Sequence, residues 1–137
     1  MIMNFEEKSK LALDAMEEHA ARIGTSGVGV FIYTDDEKAK NWQSVFRIIG
    51  EFKTIAEDGT GYNFISIAYS KVAESIETGK NSGTMDRPRI TGEFGYQGSA
   101  IAKYEGGIII TSFSGSTGEI DFEIAKSGLA KVIMDKN

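Results

Sequence analysis

Ser99-Ala100-Ile101-Ala102-Lys103-Tyr104-Glu105-Gly106-Gly107-Ile108-Ile109-Ile110-Thr111-Ser112-Phe113 is the stretch that decides the fold. Two apolar runs, Ser99 to Tyr104 and Ile108 to Phe113, flank Glu105-Gly106-Gly107, and a glycine pair between such runs signals a tight hairpin. A hairpin implies an antiparallel sheet, so the rest of the chain is read for what pairs with it and what covers it. Upstream, Val28-Gly29-Val30-Phe31-Ile32-Tyr33-Thr34 is short, β-branched and aromatic, as a buried strand is. The polar turn Asp35-Asp36-Glu37-Lys38 leads to a second strand from Asn41 to Ile49. There Trp42, Phe46 and Ile48 share one face, and Gln43, Val45 and Arg47 share the other. A further strand near Phe94 to Gln97 would precede the Ser99 hairpin, and Lys53 to Gly61 reads as a loop.

Three segments carry helical periodicity. From Phe5 to Ile23, the residues Phe5, Ala12, Met16, Ala20 and Ile23 recur at helical spacing, widened by Leu11, Leu13 and Ala15. Asn4 and Glu7 have the spacing of a capping box, and Gly24 is a stop. Asn63 to Thr78 has the stripe Ile65, Ala68, Tyr69, Val72 and Ile76 and is nearly free of charge, so it is expected to be buried. Glu119 to Asp135 is the third. Between the last two lies a long irregular stretch from Lys80 to Gly95, holding Arg87, Pro88 and Arg89. Loops of that length in a small domain are commonly functional or mobile. The order α-β-β-α-(β)-β-β-α describes one α+β domain over residues 1–137, with helices on one or both faces of an antiparallel sheet.

Composition excludes several functions. The chain has 137 residues and a formal net charge of −5, which argues against a nucleic-acid surface. It has no cysteine, so disulfides, thiol catalysis and cysteine-bound zinc are excluded. No apolar run reaches the roughly 20 residues that span a bilayer, and no signal-peptide core follows Met1, so no membrane partner is expected. Absence of cysteine and of a signal segment points to the cytoplasm. A single histidine leaves at most one imidazole for any triad or metal centre.

Candidate functional residues cluster toward the C-terminus. Ser114-Gly115-Ser116-Thr117-Gly118-Glu119 lies between a strand and a helix, with Ser116 and Glu119 at capping-box spacing. Such a turn caps its helix, and its free N–H groups can hold an anion or carboxylate. Asp121 falls inside the apolar sector defined by Ile124, Ala125, Gly128, Leu129 and Val132, so it faces inward and must find hydrogen bonds. It either satisfies local N–H groups or grips a ligand or a partner subunit. His19 falls in the apolar sector of the first helix. It is a structural or interface residue there, or an axial ligand of haem iron. Arg47, Arg87 and Arg89 are the cations suited to meeting a carboxylate or propionate. Tyr96 and Gln97 sit among Gly92, Gly95 and Gly98, a spacing that lets the backbone come close to a neighbour. No general acid–base set stands out.

The run Ser114-Gly115-Ser116-Thr117-Gly118-Glu119-Ile120-Asp121, followed by Glu123-Ile124-Ala125 and Gly128-Leu129, resembles the closing signature of the GlcG/HbpS-like haem-binding family. Ala68-Tyr69-Ser70-Lys71-Val72-Ala73 is similar to that family's central Ala-x-x-Lys-Ala helix. The resemblance implies a profilin-like three-layer α/β/α domain with a five-stranded antiparallel sheet. It also implies self-association into homo-oligomers and haem as a candidate cofactor. The chain departs from the family pattern in three places. Its first turn, Asp35-Asp36-Glu37-Lys38, has no glycine; its second strand ends Phe46-Arg47-Ile48-Ile49-Gly50, where Arg47 and Gly50 alone match the family's Arg-Met-Asp-Gly; and Gly92 to Gly98 replaces the usual Pro-Gly-Gly segment. The resulting expectation is a non-enzymatic small-molecule-binding protein for haem or another carboxylate-bearing ligand near the start of the last helix. Ser114, Ser116, Thr117, Glu119 and Asp121 would anchor the ligand, with Arg87 or Arg89 nearby. The alternatives are an oligomeric interaction module using the same residues, or an enzyme acting on a small organic acid.

Overall fold

The computed structural model describes residues 3–38, 40–84 and 86–134; Asp135, the expected end of the last helix, lies outside them. Along the chain run α1 (Phe5–Ile23), β1 (Gly27–Thr34), β2 (Gln43–Ile49), β3 (Lys53–Ile55), β4 (Gly61–Asn63), α2 (Phe64–Thr78), β5 (Ser99–Tyr104), β6 (Gly107–Ser114) and α3 (Gly118–Met134). The glycine-pair hairpin forms as read. Tyr104 lies opposite Gly107, and the two intervening residues have positive φ, 50° at Glu105 and 83° at Gly106. That is the backbone a two-residue turn needs to match strand twist. β6 also pairs antiparallel with β1, and β1 with β2, giving a four-stranded sheet in the order β2-β1-β6-β5.

Alternation along the strands splits the core in two. Phe31, Ile109, Phe113 and Ala100 point to one face, where α1 and α3 close over them with Ala12, Met16, Ile124, Ala125 and Val132. Val28, Val30, Ile32 and Ile110 point to the other face, under Ala68 and Val72 of α2. The architecture is thus helices on both faces of one antiparallel sheet. α1 and α3 cross closely at Gly128, where an added Cβ would stand 2.8 Å from Met16 Cγ and 3.0 Å from the Ala12 carbonyl oxygen. Polar groups also join helix to sheet. Thr111 donates to the Ala125 carbonyl at 2.6 Å, and Ser112 donates to the Ala68 carbonyl at 2.9 Å.

The expected five-stranded sheet is replaced by four strands and a separate two-stranded hairpin, β3–β4. The segment Phe94 to Gln97 pairs with no strand among the described residues. Left-handed φ values at Gly92, Gly95 and Gly98 (102°, 77° and 144°) interrupt the extended backbone a strand requires. The Lys53–Gly61 segment, read as a loop, contains β3 and enters β4. Two stripe residues are surface residues. Ile23 is 48% exposed at the last turn of α1, and Ile76 is 44% exposed on α2. On α2 the buried positions also include the charged or polar Lys71, Glu74 and Ser75. They are buried because each has a partner across the interface, Ser75 and Ser99 hydroxyls bonding directly.

Caps largely follow the sequence. Asn4 and Glu7 form the reciprocal box on α1. Asn63 precedes α2 rather than opening it, and its side chain accepts from Ile65 N at 3.0 Å. At α3 the box between Ser116 and Glu119 is not made. Thr117 Oγ1 accepts from Ile120 N at 3.3 Å, and Asp121 Oδ1 accepts from Ser116 N at 2.8 Å. The long 80–98 loop is tied down. Asn81 and Ser82 side chains accept from Ile101 N and Ser99 N, each at 3.0 Å, and so cover the outer edge of β5.

Candidate functional site

α2 presents Phe64, Ile67 and Lys71 on successive turns toward the place where β6 ends and α3 begins. There the chain runs Ser114, Gly115, Ser116, then Gly118 and Asp121 of α3. Tyr62 of β4 and Tyr96 of the long loop close the sides. Together these ten residues line an open pocket of about 350 Å³, within the size range of small-molecule sites. Tyr62 and Phe64 are stacked with their rings 4° from parallel and centroids 6.4 Å apart. Phe94 and Tyr96 form a second, tilted pair at 5.8 Å. A shallower groove shares Tyr62, Ile67 and Tyr96 with the pocket and extends it past Phe94.

The floor is an ion pair. Lys71 Nζ lies 3.0 Å from Asp121 Oδ2 and donates to the Phe113 carbonyl at 2.8 Å. The two side chains are 2% and 3% exposed. The other oxygen of Asp121 takes the Ser116 N–H. Asp121 therefore finds the hydrogen bonds that its inward position demanded. Burial pushes the Lys71 ammonium down and the Asp121 carboxyl up, and each charge opposes the shift of the other. Mutual neutralisation in a dry setting is what keeps such a pair in place. Gly98 makes the arrangement sterically feasible, because a Cβ there would fall 2.4 Å from Lys71 Nζ and 2.7 Å from the Phe113 carbonyl oxygen.

Above this floor Ser114 is 3% exposed, yet its hydroxyl makes no hydrogen bond among the described residues. A hydroxyl at a pocket wall with no internal partner is free to hydrogen-bond a bound molecule.

Of the residues singled out from sequence, Tyr96, Ser114, Ser116 and Asp121 line the pocket. Thr117 caps α3, and Glu119 is exposed. Gln97 is wedged against the start of α3, 3.2 Å from where a Gly118 Cβ would stand. The arginines are elsewhere. Arg47 is on the α1 face of the sheet, bound to Asp14 at 2.8 Å and Glu17 at 2.9 Å. Arg87 makes two bonds to Glu93, at 2.9 and 2.7 Å, and an ion pair with Glu77 at 3.1 Å. Arg89 donates to the Phe94 carbonyl. His19 is on α1, across the sheet from α2, with its Nδ1 buried and without a hydrogen bond. Among the described residues no three His, Asp or Glu side chains gather as a metal centre. Sequence reasoning did not place Lys71, Tyr62, Phe64 or Ile67 in the site. The available signal was a lone lysine in the apolar body of α2 together with an inward-facing Asp121.

This fold is shared with two solved proteins. The crystal structure of the PduOC:heme complex superposes with a TM-score of 0.67 at 14% identity, covering 96% of this chain and 95% of that one. Klebsiella pneumoniae protein ORFY, of DUF336, superposes with a TM-score of 0.67 at 15% identity, covering 99% of this chain and 100% of its own. The resemblance to GlcG/HbpS-like proteins read from the C-terminal signature is therefore met at the level of fold over nearly the whole chain. No family model matches the sequence, and no curated protein matches it.

Proposed function

We propose that this protein binds a small, flat, conjugated molecule in the pocket between α2 and the start of α3, and haem is the member of that class to test first. The observation that carries the reading is the pocket itself: aromatic side walls over a polar floor at the junction of α2, β6 and α3. The haem complex of a protein with the same fold supports the ligand class. The walls suit a planar ring. Of the lining residues, Tyr62 and Tyr96 are the types that serve as axial ligands to haem iron. When bound, haem would supply its iron's redox and gas-binding chemistry; the chain's own groups would hold and orient the ring. Binding is favoured over turnover because Lys71 is paired with Asp121 and also donates to the Phe113 carbonyl. Among the described residues no pocket hydroxyl is hydrogen-bonded to a base, as an activated nucleophile is.

A haemin titration followed by visible absorbance tests this, with Ile67→Trp to fill the pocket and His19→Ala as the comparison. The expected result is a saturable shift, lost in Ile67→Trp and retained in His19→Ala, in variants whose far-UV circular dichroism is unchanged. Binding that survives pocket filling but is lost in His19→Ala moves the site to α1.

A second reading, homo-oligomer formation, is favoured by the free edge of the sheet at β2. Phe46 and Ile48 stand 42% and 44% exposed on that strand, and among the described residues β2 pairs with β1 alone. Light scattering of the wild type and Phe46→Lys tests it: an assembly that dissociates in the variant supports this interface.

A further inference from the structure

We infer that the part of the ligand entering the pocket floor is an uncharged aromatic group bearing a hydrogen-bonding substituent of the carboxamide kind. Charged substituents would remain at the mouth. The inference rests on the pocket being the ligand site and goes on to say which chemistry it selects.

Lys71 and Asp121 are the charged residues that line the pocket, and they cancel each other at 3.0 Å. Each is also held within the protein, since Phe113 takes a second Lys71 donor and Ser116 donates to the second Asp121 oxygen, so neither presents a net charge to an ionic guest. The three arginines suited to meeting a carboxylate are committed elsewhere: Arg47 to Asp14 and Glu17, Arg87 to Glu77 and Glu93, Arg89 to the Phe94 carbonyl. An anion pushed to the floor would lose its water without gaining a counter-charge, and so would a cation. Removal of an unpaired charge from water is far more costly than burial of a neutral group that finds one hydrogen bond. The floor does offer such a bond. Ser114 lines the pocket, its hydroxyl makes no hydrogen bond among the described residues, and a hydroxyl can donate to a carbonyl or accept from an N–H. The Ser116 side chain lines the same wall. Near-parallel Tyr62 and Phe64, with Tyr96, provide aromatic surface for a flat ring. Tyr62 and Tyr96 are half-exposed at the rim, where charged groups on a larger conjugated molecule would stay hydrated.

Three probes with one ring and different charge decide the matter: benzamide, benzoate and benzamidinium. Each is titrated into isotope-labelled protein while the backbone amides of Ser114, Gly115 and Gly118 are followed by NMR. Benzamide is expected to shift these amides saturably and to bind at least tenfold more tightly than either ion. Ser114→Ala is expected to weaken benzamide about tenfold, the scale of one hydrogen bond to a buried hydroxyl. Benzoate or benzamidinium binding these amides as tightly as benzamide overturns the neutral-floor inference while leaving the pocket as the site. Unchanged benzamide affinity in Ser114→Ala overturns the role of the hydroxyl. If none of the probes shifts these amides, both the inference and the site reading fall.

Discussion

Lys71 and Asp121 stand 50 positions apart in the chain and meet as a buried ion pair. Removing one charge strands the other, which costs about 3–5 kcal/mol for buried pairs. Lys71→Met and Asp121→Leu should each lower the urea-unfolding free energy by about that amount. The double variant should lose much less than the sum. Additive losses would show that the pair is not coupled. Ser114→Ala should change stability by no more than about 0.5 kcal/mol, because no internal hydrogen bond is lost. Half of this chemistry was readable in the sequence. Projecting α3 as a helix turns Asp121 inward, so an inward carboxylate could be expected to need partners. Lys71 was passed over because a lysine on a helix ordinarily reaches solvent, although its place in the nearly uncharged body of α2 set it apart. The arginines were misleading for a similar reason. Arg47 is bound to Asp14, 33 residues away, and such pairing is set by the fold.

At the scale of elements, the crossing of α1 and α3 depends on Gly128. Alanine there gains up to about 1 kcal/mol of helix propensity. It must also displace Met16 Cγ and the Ala12 carbonyl, and overpacking of this kind costs about 1–3 kcal/mol. Gly128→Ala should therefore lower the thermal midpoint, and a raised midpoint would contradict the close crossing. The 80–98 loop depends on a latch. Arg87 beside Glu93 holds that carboxyl below the usual glutamate range. Because the folded state favours the ionised form, the latch stabilises fully above the ordinary glutamate range and is lost as pH falls through and below it. Melting curves from about pH 5 to about pH 3 should fall more steeply for the wild type than for Arg87→Met. Parallel curves would show that the latch contributes nothing. The elements themselves were largely legible, since α1, α2, β1, β2 and the β5–β6 hairpin follow from periodicity and turn chemistry. Phe94 to Gln97 was not, because its apolar residues suggest a strand while its flanking glycines adopt left-handed backbone that ends one.

For the whole molecule, strand alternation distributes the apolar residues to both faces of one sheet. Three helices are enough to cover them. That plan is shared with proteins at 14–15% identity, so it is specified by pattern more than by particular side chains. The site is where particular side chains matter, and it assembles from α2, β4, β6, α3 and the long loop only once the sheet is formed. Among the described residues no helix is long and apolar enough to cross a membrane. The central claim is that a flat ligand sits between α2 and the start of α3, away from His19. Haemin is paramagnetic, so its titration into isotope-labelled protein broadens the amides around wherever it binds. The account predicts early loss of the Ser114, Gly115, Ser116 and Gly118 signals while those around His19 on α1 persist. Broadening centred on His19, or spread evenly over the surface, would contradict it.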